Sequence, residues 1–468
     1  MRTHVKGGRA LAGFAKFFFA LAFSSCLCGG AFATPVTADT TVTLSSDSSE
    51  SYEISSGVTL TIEVASGDTA VLSGAITGAG TLRKTGLGTL ALSYPGNVIP
   101  GGIDIAEGTV RADAAGALGD GELRIVQGET VKGNVTFNVA GATFFNPITV
   151  TGTYSKAPYV ISAPVTTTLK GAITALNGVR AENAAGSTLT IDGDVNTGSK
   201  TFYLRPIKNG SHVLNGKVTA NFLELGSAAS ATGDVYLNNP SNSIAYFRTY
   251  QPTVHCGDTN VLRGAYWTIQ ATAGRASGGH VLDLHGHDQT MSYLVAEQYT
   301  SGNANANSTF ITSDHPCVLT LTGTSSASTK TTGHKINGAV ALDLNATSAK
   351  FVQVFTDCDN KGNATTHNTT GAIAVSRGTL RITGSTTSFS AVPQVMVAPN
   401  ATLDIATSGQ TVFSAAPRFI VNGTLTVGAD ALSPFSTDAS VRYSRSRLGR
   451  MRSLPSTTIP FSASPLCV

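Results

Sequence analysis

Short runs in which apolar and polar residues alternate constrain this chain more than any other feature of its sequence. The runs are three to five residues long and end at Gly, Asn, Asp or Ser, as at residues 60–64 and 189–191. A period of two over such a length, bounded by turn residues, is typical of a half-buried β-strand. Several runs open on Gly-Thr-Leu, as at Gly80, Gly88 and Gly378. We therefore predict an all-β fold.

The spacing between successive runs distinguishes among all-β folds. The run at Ile103 is followed by an equivalent run at Val110 after seven residues, and Val395 is followed by Leu403 after eight. A β-sandwich shows turn signals about every 8–12 residues, so these corners are unusually dense. The spacing predicts a parallel β-helix (β-solenoid), single-stranded and elongated, with roughly 20–25 residues per coil. We assign residues 34–440 to this repeat region.

The two ends of the chain carry much of its positive charge. Residues 1–33 hold four Lys and Arg, residues 441–468 hold five Arg, and neither segment has an Asp or Glu. The stretch between them has 22 basic against 28 acidic residues. Because a mildly acidic body does not attract a phosphate backbone, we expect no nucleic-acid partner.

Residues 1–33 have the pattern of a signal peptide. A basic segment ends at Lys16, an apolar stretch follows, and Ala31-Phe-Ala33 is a small-x-small cleavage sequence. This pattern predicts export and a secreted, cell-surface or outer-membrane-associated location. A buried helix, or a lipoprotein acylated at Cys26, are the alternative interpretations. We expect no transmembrane helix in the mature chain.

The C-terminal segment differs in composition from the body. Residues 441–468 lack the alternation and combine five Arg with three Pro. We predict a disordered basic tail there; a truncated or frame-shifted reading of a longer gene would produce the same abrupt change. The mature chain keeps four widely separated Cys, in no metal or redox motif, and their sequence does not assign a disulfide pairing.

One block of sequence resembles a known repeat. Residues 78–92 read Gly-Ala-Gly-Thr-Leu-Arg-Lys-Thr-Gly-Leu-Gly-Thr-Leu-Ala-Leu, and residues 101–110 and Ala117-Leu-Gly119 follow as a second strand and its close. This order is similar to the autotransporter-associated β-strand repeat of bacterial passenger domains, with weaker echoes at residues 282–294 and 371–382. The resemblance implies a surface-displayed or secreted β-helix. The chain departs from it at residues 433–468, which carry no recognisable C-terminal β-barrel.

The densest polar cluster is a candidate metal site. Two imidazoles and a carboxylate on one strand face could chelate a metal ion, but a solvated strand face explains the same residues. The cluster comprises His280, Asp283, His285, His287 and Asp288. Asp357 opens a sequence similar to the start of a calcium loop, yet Lys361 and Asn368 stand where oxygen ligands are needed. We therefore expect no metal and no cofactor.

Two pairs of carboxylates have the residue type that a glycosidase needs, namely Asp104 with Glu107 and Asp192 with Asp194. Each pair brackets a turn, so turn chemistry explains both without catalysis. We predict a non-enzymatic protein with a structural or adhesive role, whose partners are cell-surface or extracellular polysaccharide or other cells. The alternatives are a carbohydrate-active β-helix enzyme (a polysaccharide lyase or hydrolase) and a truncated autotransporter passenger fragment.

Overall fold

The computed structural model describes residues 33–127, 132–152, 159–175, 177–226, 232–269, 280–296, 310–357, 365–407, 412–415, 417–428 and 441–443. These residues form a β-solenoid in which every strand pairing is parallel, which confirms the predicted fold class. Each coil carries up to three strands, and equivalent strands of successive coils stack into three faces. No helix among the described residues is long and apolar enough to cross a bilayer.

Face 1 is the stack formed by the first strand of each coil. Four of its strands bend and continue into face 2, and these are Val195–Arg205, Val218–Leu225, Ser243–Thr249 and Ile373–Gly384. The others are Thr40–Leu44, Thr59–Val64, Thr81–Thr85, Ile103–Ile105, Leu123–Gln127, Ile148–Gly152, Ile173–Thr174, Gln289–Met291, Cys317–Leu321, Val340–Asn345, Gln394–Val397, Arg418–Val421 and Val441–Tyr443.

Faces 2 and 3 complete each coil. Face 2 adds Thr69–Leu72, Thr89–Leu92, Gly108–Ala112, Gly133–Phe137, Tyr159–Ala163, Val179–Asn183, Tyr266–Ile269, Leu294–Ala296, Thr329–Thr332, Val352–Phe355, Ala401–Thr407 and Thr424–Val427. Face 3 comprises Thr34–Val36, Tyr52–Ile54, Ile76–Thr77, Ala142–Phe144, Thr167–Leu169, Thr188–Ile191, Ser211–Leu214, Asp234–Leu237, Thr253–Cys256, Val281–Asp283, Phe310–Thr312, Lys335–Ile336, Thr365–His367 and Thr387–Phe389.

The register sets how far the chain advances per coil. Thr40 lies beside Leu60 and Leu123 lies beside Ile148, so both advances fall within the predicted coil length. The advance from Val281 to its partner Phe310 is longer than predicted. The predicted length thus holds for these coils of the first half, whereas the coil that leads to Phe310 accommodates a longer connection. The advance from Val395 to its partner Phe419 is again within the predicted range.

The last described strand continues the solenoid into the C-terminal segment. Val441–Tyr443 pairs in parallel with Arg418–Val421 and so extends face 1 into the residues predicted as a tail. The rest of that segment, residues 444–468, lies outside the described residues.

The alternating apolar residues stack along the inside of the solenoid. On face 1 an unbroken column of aliphatic side chains runs through eight coils, and each is at most 1% exposed. The column consists of Leu60, Leu82, Ile103, Leu123, Ile148, Ile173, Val195 and Val218. Parallel pairing therefore turns a period of two in sequence into a continuous hydrophobic core. Cys256 and Cys317 are buried in this interior as free thiols.

Buried asparagine side chains form hydrogen bonds with backbone groups where the chain turns. Asn97 accepts from the Ile76 N–H at 2.7 Å and donates to the Ala117 carbonyl at 2.7 Å. Asn242 bridges Val218 and Val261 in the same way. Because an unpaired backbone group in the interior costs about 1–3 kcal/mol, these amides make the corners compatible with burial.

A column of glycines allows the coils to approach closely at the corner that leads from face 3 to face 1. A Cβ at Gly193 would lie 2.1 Å from the Gly171 carbonyl oxygen, and a Cβ at Gly216 would lie 2.1 Å from that of Gly193. Both distances are shorter than any van der Waals contact. The corner can therefore hold only glycine unless two coils separate.

We expect Gly193→Ala to destabilise the solenoid by about 1–3 kcal/mol, because the added methyl group must push one coil away from the next. Gly428→Ala is the matched control, since its Cβ would meet its nearest neighbour at 3.5 Å. Thermal unfolding followed by circular dichroism checks the difference. An unfolding midpoint for Gly193→Ala as high as that of the control would contradict the close approach.

Candidate functional site

The carboxylates selected from the sequence each join one coil to the next. Asp104 pairs with Arg124, and Glu107 Oε2 accepts from the Gly86 N–H at 2.9 Å. Asp192 Oδ1 accepts from Asn215 Nδ2 at 2.7 Å, and Asp194 Oδ1 accepts from the Lys217 N–H at 2.8 Å. In both pairs the two carboxylates are thus committed to separate contacts with a neighbouring coil.

The predicted histidine cluster divides between the inside and the outside of the solenoid. The strand ends at Asp283, His280 is buried, and His285 occupies a left-handed turn with φ of 51°. Asp288 accepts from the Val318 N–H at 2.7 Å, and the His285 and His287 rings lie 6.4 Å apart. The expectation that Asp283, His285 and His287 share one strand face is therefore wrong, because the chain turns after Asp283.

In the described part of the chain, no group of three or more His, Cys, Asp or Glu side chains is placed to hold a metal ion. Asp357 instead closes a corner of the next coil, where it accepts from the Ser385 N–H at 2.7 Å and the Thr387 hydroxyl at 2.8 Å. These hydrogen bonds hold the pKa of the Asp357 carboxyl below its usual value despite its partial burial. Residues 358–364 of the sequence that is similar to a calcium loop lie outside the described residues.

His255 links three coils of face 3 and was not selected from the sequence. Its Nδ1 lies 3.2 Å from Asp283 Oδ2, its Nε2 lies 3.4 Å from Asp234 Oδ1, and its ring stacks on Tyr236 at 4.5 Å. Although partial burial opposes it, the two carboxylates raise the pKa of His255. Both ring nitrogens have carboxylate partners, so this imidazole links Asp283 and Asp234 on the two neighbouring coils.

The most chemically varied surface is a group of outward side chains on face 2, which we call the face-2 panel. Its column Arg180, Tyr203, Glu224 and Arg248 stands on four successive coils in direct register. The Arg180 guanidinium lies 5.3 Å from the centre of the Tyr203 ring, and Arg248 Nη1 lies 4.0 Å from Glu224 Oε2. Guanidinium, phenol and carboxylate groups therefore follow one another at a spacing of about 4.8 Å along the axis.

A second pair completes the face-2 panel. Arg205 Nη1 lies 2.9 Å from Glu182 Oε2, and these two residues also stand in register on neighbouring coils. Burial raises the pKa of the Glu182 carboxyl, although the nearby Arg180 opposes the shift. A carboxyl group with a raised pKa beside arginines is the kind of group that general acid–base chemistry uses.

Sequence reasoning missed the face-2 panel because its members stand on different coils and are far apart along the chain. Aromatic residues are more frequent between residues 196 and 280, and this enrichment was the available signal for the region. Trp267, which lies in the same region, is fully buried, and its indole N–H donates to Thr249 Oγ1 at 3.1 Å.

No known protein family, curated protein or solved structure matches this chain. The local geometry therefore carries the functional argument.

A structural contact explains one of the two basic residues, Arg83 and Lys84, in the block at residues 78–92. Lys84 points inward between Ile62 and Ile105 and is fully buried. Its ammonium donates to the carbonyls of Thr85 at 2.6 Å and Gly86 at 2.7 Å. Burial lowers the pKa of Lys84 to about 8, although nearby Glu107 and Glu63 favour the charged form. Lys84 therefore closes a corner from inside and is inaccessible to a substrate.

We expect the stability of the protein to respond to Lys84 between about pH 8 and about pH 10. The folded state releases this proton near pH 8, whereas the unfolded chain holds it to about pH 10.4, so stability rises with pH in this interval, by about 3 kcal/mol. The Lys84→Met variant retains the volume without the charge and lacks this rise. Denaturant titrations of both proteins at several pH values give the difference, in which other titrating groups cancel. A constant difference across the interval would contradict the lowered pKa.

Proposed function

We propose that the chain is an exported, surface-associated or secreted β-solenoid with a structural and adhesive role and no catalytic activity. The observation that carries this proposal is the alignment of outward threonines into ladders. Thr143, Thr168 and Thr190 stand in register on three successive coils of face 3. Two further ladders lie on face 2, formed by Thr69, Thr89 and Thr109, and by Thr379, Thr402 and Thr424.

The ladders give the solenoid a repeated hydroxyl surface. All nine threonines are partly or fully exposed, and their spacing equals that of the coils, about 4.8 Å. A hydroxyl donates and accepts, so each rung offers the same weak contact to a polyhydroxylated or repetitive partner. Many such contacts along repetitive surfaces give avidity without a deep pocket. Extracellular polysaccharide and the surfaces of other cells are partners of this kind.

Two sequence features and one structural feature support the proposal that the chain is exported. Residues 1–33 have the pattern of a signal peptide, and the block at residues 78–92 is similar to the repeat of autotransporter passengers. The first strand begins at Thr34, whose N–H donates to the Ser51 carbonyl at 2.7 Å. Cleavage after Ala33 would therefore leave the first coil intact. We propose a passenger-type repeat protein on this basis.

We expect adhesion to weaken stepwise as the threonine ladders are replaced. Thr→Val substitutions at every position of one, two and then three ladders keep the β-branched shape and remove the hydroxyl groups. Binding of the processed protein to a polysaccharide array and to cells should fall with each ladder that is replaced. Thr→Ser at the same positions keeps the hydroxyl and is the control. N-terminal sequencing of the secreted protein should identify Thr34 as its first residue. Full adhesion by the three-ladder valine variant would overturn the adhesive role.

A second candidate function, polysaccharide cleavage, draws on the face-2 panel. Glu182 and Glu224 stand among Arg180, Arg205 and Arg248, which is the residue set that a lyase or hydrolase would need. The observed carboxylates already pair with arginines across coils, so we favour the structural role.

Incubation with pectin, alginate and xylan distinguishes these two functions. We expect no release of reducing ends or unsaturated products from any of them. Turnover that disappears in Glu224→Gln or Glu182→Gln, and survives in Glu122→Gln outside the panel, would replace our proposal with the enzymatic one.

A further inference from the structure

A ladder of aromatic rings lies on the outside of face 2, beside the face-2 panel. Phe222 stacks on Tyr246 with ring centres 4.3 Å apart, Tyr246 on Tyr266 at 5.0 Å, and Tyr266 on Tyr293 at 4.7 Å. The planes of the three tyrosines differ by only 11° and 12°. The ring faces therefore cover one another, and only the ring edges are left for a ligand.

A cation lies near the ring at each end of this aromatic ladder. The Arg248 guanidinium lies 4.9 Å from the centre of the Phe222 ring, and Lys330 Nζ lies 4.7 Å from that of Tyr293. Phe222 is only 8% exposed and the Lys330 ammonium lies over the Tyr293 ring, so neither end ring presents an open face to a sugar. The aromatic ladder thus differs from an exposed sugar-binding platform, in which the flat face of an aromatic ring is open.

The three tyrosines bring oxidisable phenols into contact. All three side chains are partly exposed, so a small oxidant reaches them from solvent. Burial raises the pKa of Tyr266, and the adjoining Tyr293 and Tyr246 raise it further. Phe222 has no hydroxyl and cannot take part. The reactive section therefore has two junctions, Tyr246–Tyr266 and Tyr266–Tyr293, which share Tyr266.

We propose that this stack is a site of oxidative cross-linking, at which Tyr266 forms a dityrosine bond with Tyr246 or Tyr293 in the same chain. Each phenol loses one electron and one proton to an oxidant of the peroxide class, acting through a haem peroxidase. The two phenoxyl radicals join through ring carbons next to their hydroxyl groups. The hydrogens on those carbons then move to the oxygens, so two phenols and one hydrogen peroxide give one biaryl and two waters.

The parallel register favours the intramolecular reaction. Tyr246 and Tyr266 are direct neighbours in the pairing of face 2, so their backbones stay one coil apart while the side chains rotate. Holding two reactants at this separation replaces a bimolecular encounter by a local one. At either junction the product is a covalent link between successive coils. Such a link stabilises the fold by restricting the unfolded chain.

Treatment of the purified dilute protein with hydrogen peroxide and a haem peroxidase tests this proposal, and it does not depend on export or adhesion. We expect dityrosine fluorescence in monomeric protein. Tyr266 is the sole tyrosine between Arg263 and Arg275, so its tryptic peptide should be recovered joined to one containing Tyr246 or Tyr293, with the loss of two hydrogens.

Phenylalanine variants assign the junctions, because they keep the stacked ring and remove the phenol. Tyr266→Phe should abolish the intramolecular signal, while Tyr246→Phe and Tyr293→Phe should each leave one junction. Tyr94→Phe, at an exposed tyrosine outside the ladder, is the matched control and should react as the parent does. Circular dichroism verifies that each variant is folded. Absence of linked Tyr266 peptides from the parent protein, or an unchanged yield in Tyr266→Phe, overturns the proposal.

Discussion

Parallel pairing of each coil with the next is the constraint on which the rest of this structure depends. Because the strands run in the same direction, each residue stands about 4.8 Å from the residue that occupies its place one coil earlier. Every side chain therefore has two neighbours decided by register. The core column from Leu60 to Val218, the threonine ladders, the tyrosine stack and the ion pairs all follow from this one arrangement. The same arrangement explains the glycine column, since adjoining coils leave no space for a Cβ at Gly193.

The sequence was sufficient to predict many of the strands and the direction of their apolar side chains. Alternation over residues 60–64 places Leu60, Ile62 and Val64 inward, as observed. It could not predict which residues meet across coils, because the advance per coil varies and is longer at Val281 than at Thr40. A different advance at Glu182 would place another side chain beside it. The pairing of Glu182 with Arg205 was therefore accessible only from the register.

Some inward positions of the alternating pattern hold polar residues in place of apolar ones. Lys84 is tolerated because its ammonium donates to the carbonyls of Thr85 and Gly86 at a corner. His367 is tolerated because its ring stacks on Phe389 at 4.2 Å and its Nδ1 accepts from the Ile336 N–H at 3.1 Å. These groups would have been assigned outward from their chemistry alone. Their contacts, rather than their hydropathy, make burial acceptable.

The pKa of a histidine on this solenoid depends on whether its side chain points inward or outward. Burial lowers the pKa of His367 to about 3, so its contribution to stability is complete above about pH 6.5 and is lost as the pH falls towards 3. His255 stands outward between two carboxylates that raise its pKa, so its contribution is present below about pH 6.5 and is lost as the pH rises. Both positions follow from the parity of the residue within its strand. Any chemistry of the outer surface is therefore assembled from outward residues of several coils, and a functional group on this solenoid is a property of the register rather than of one sequence motif.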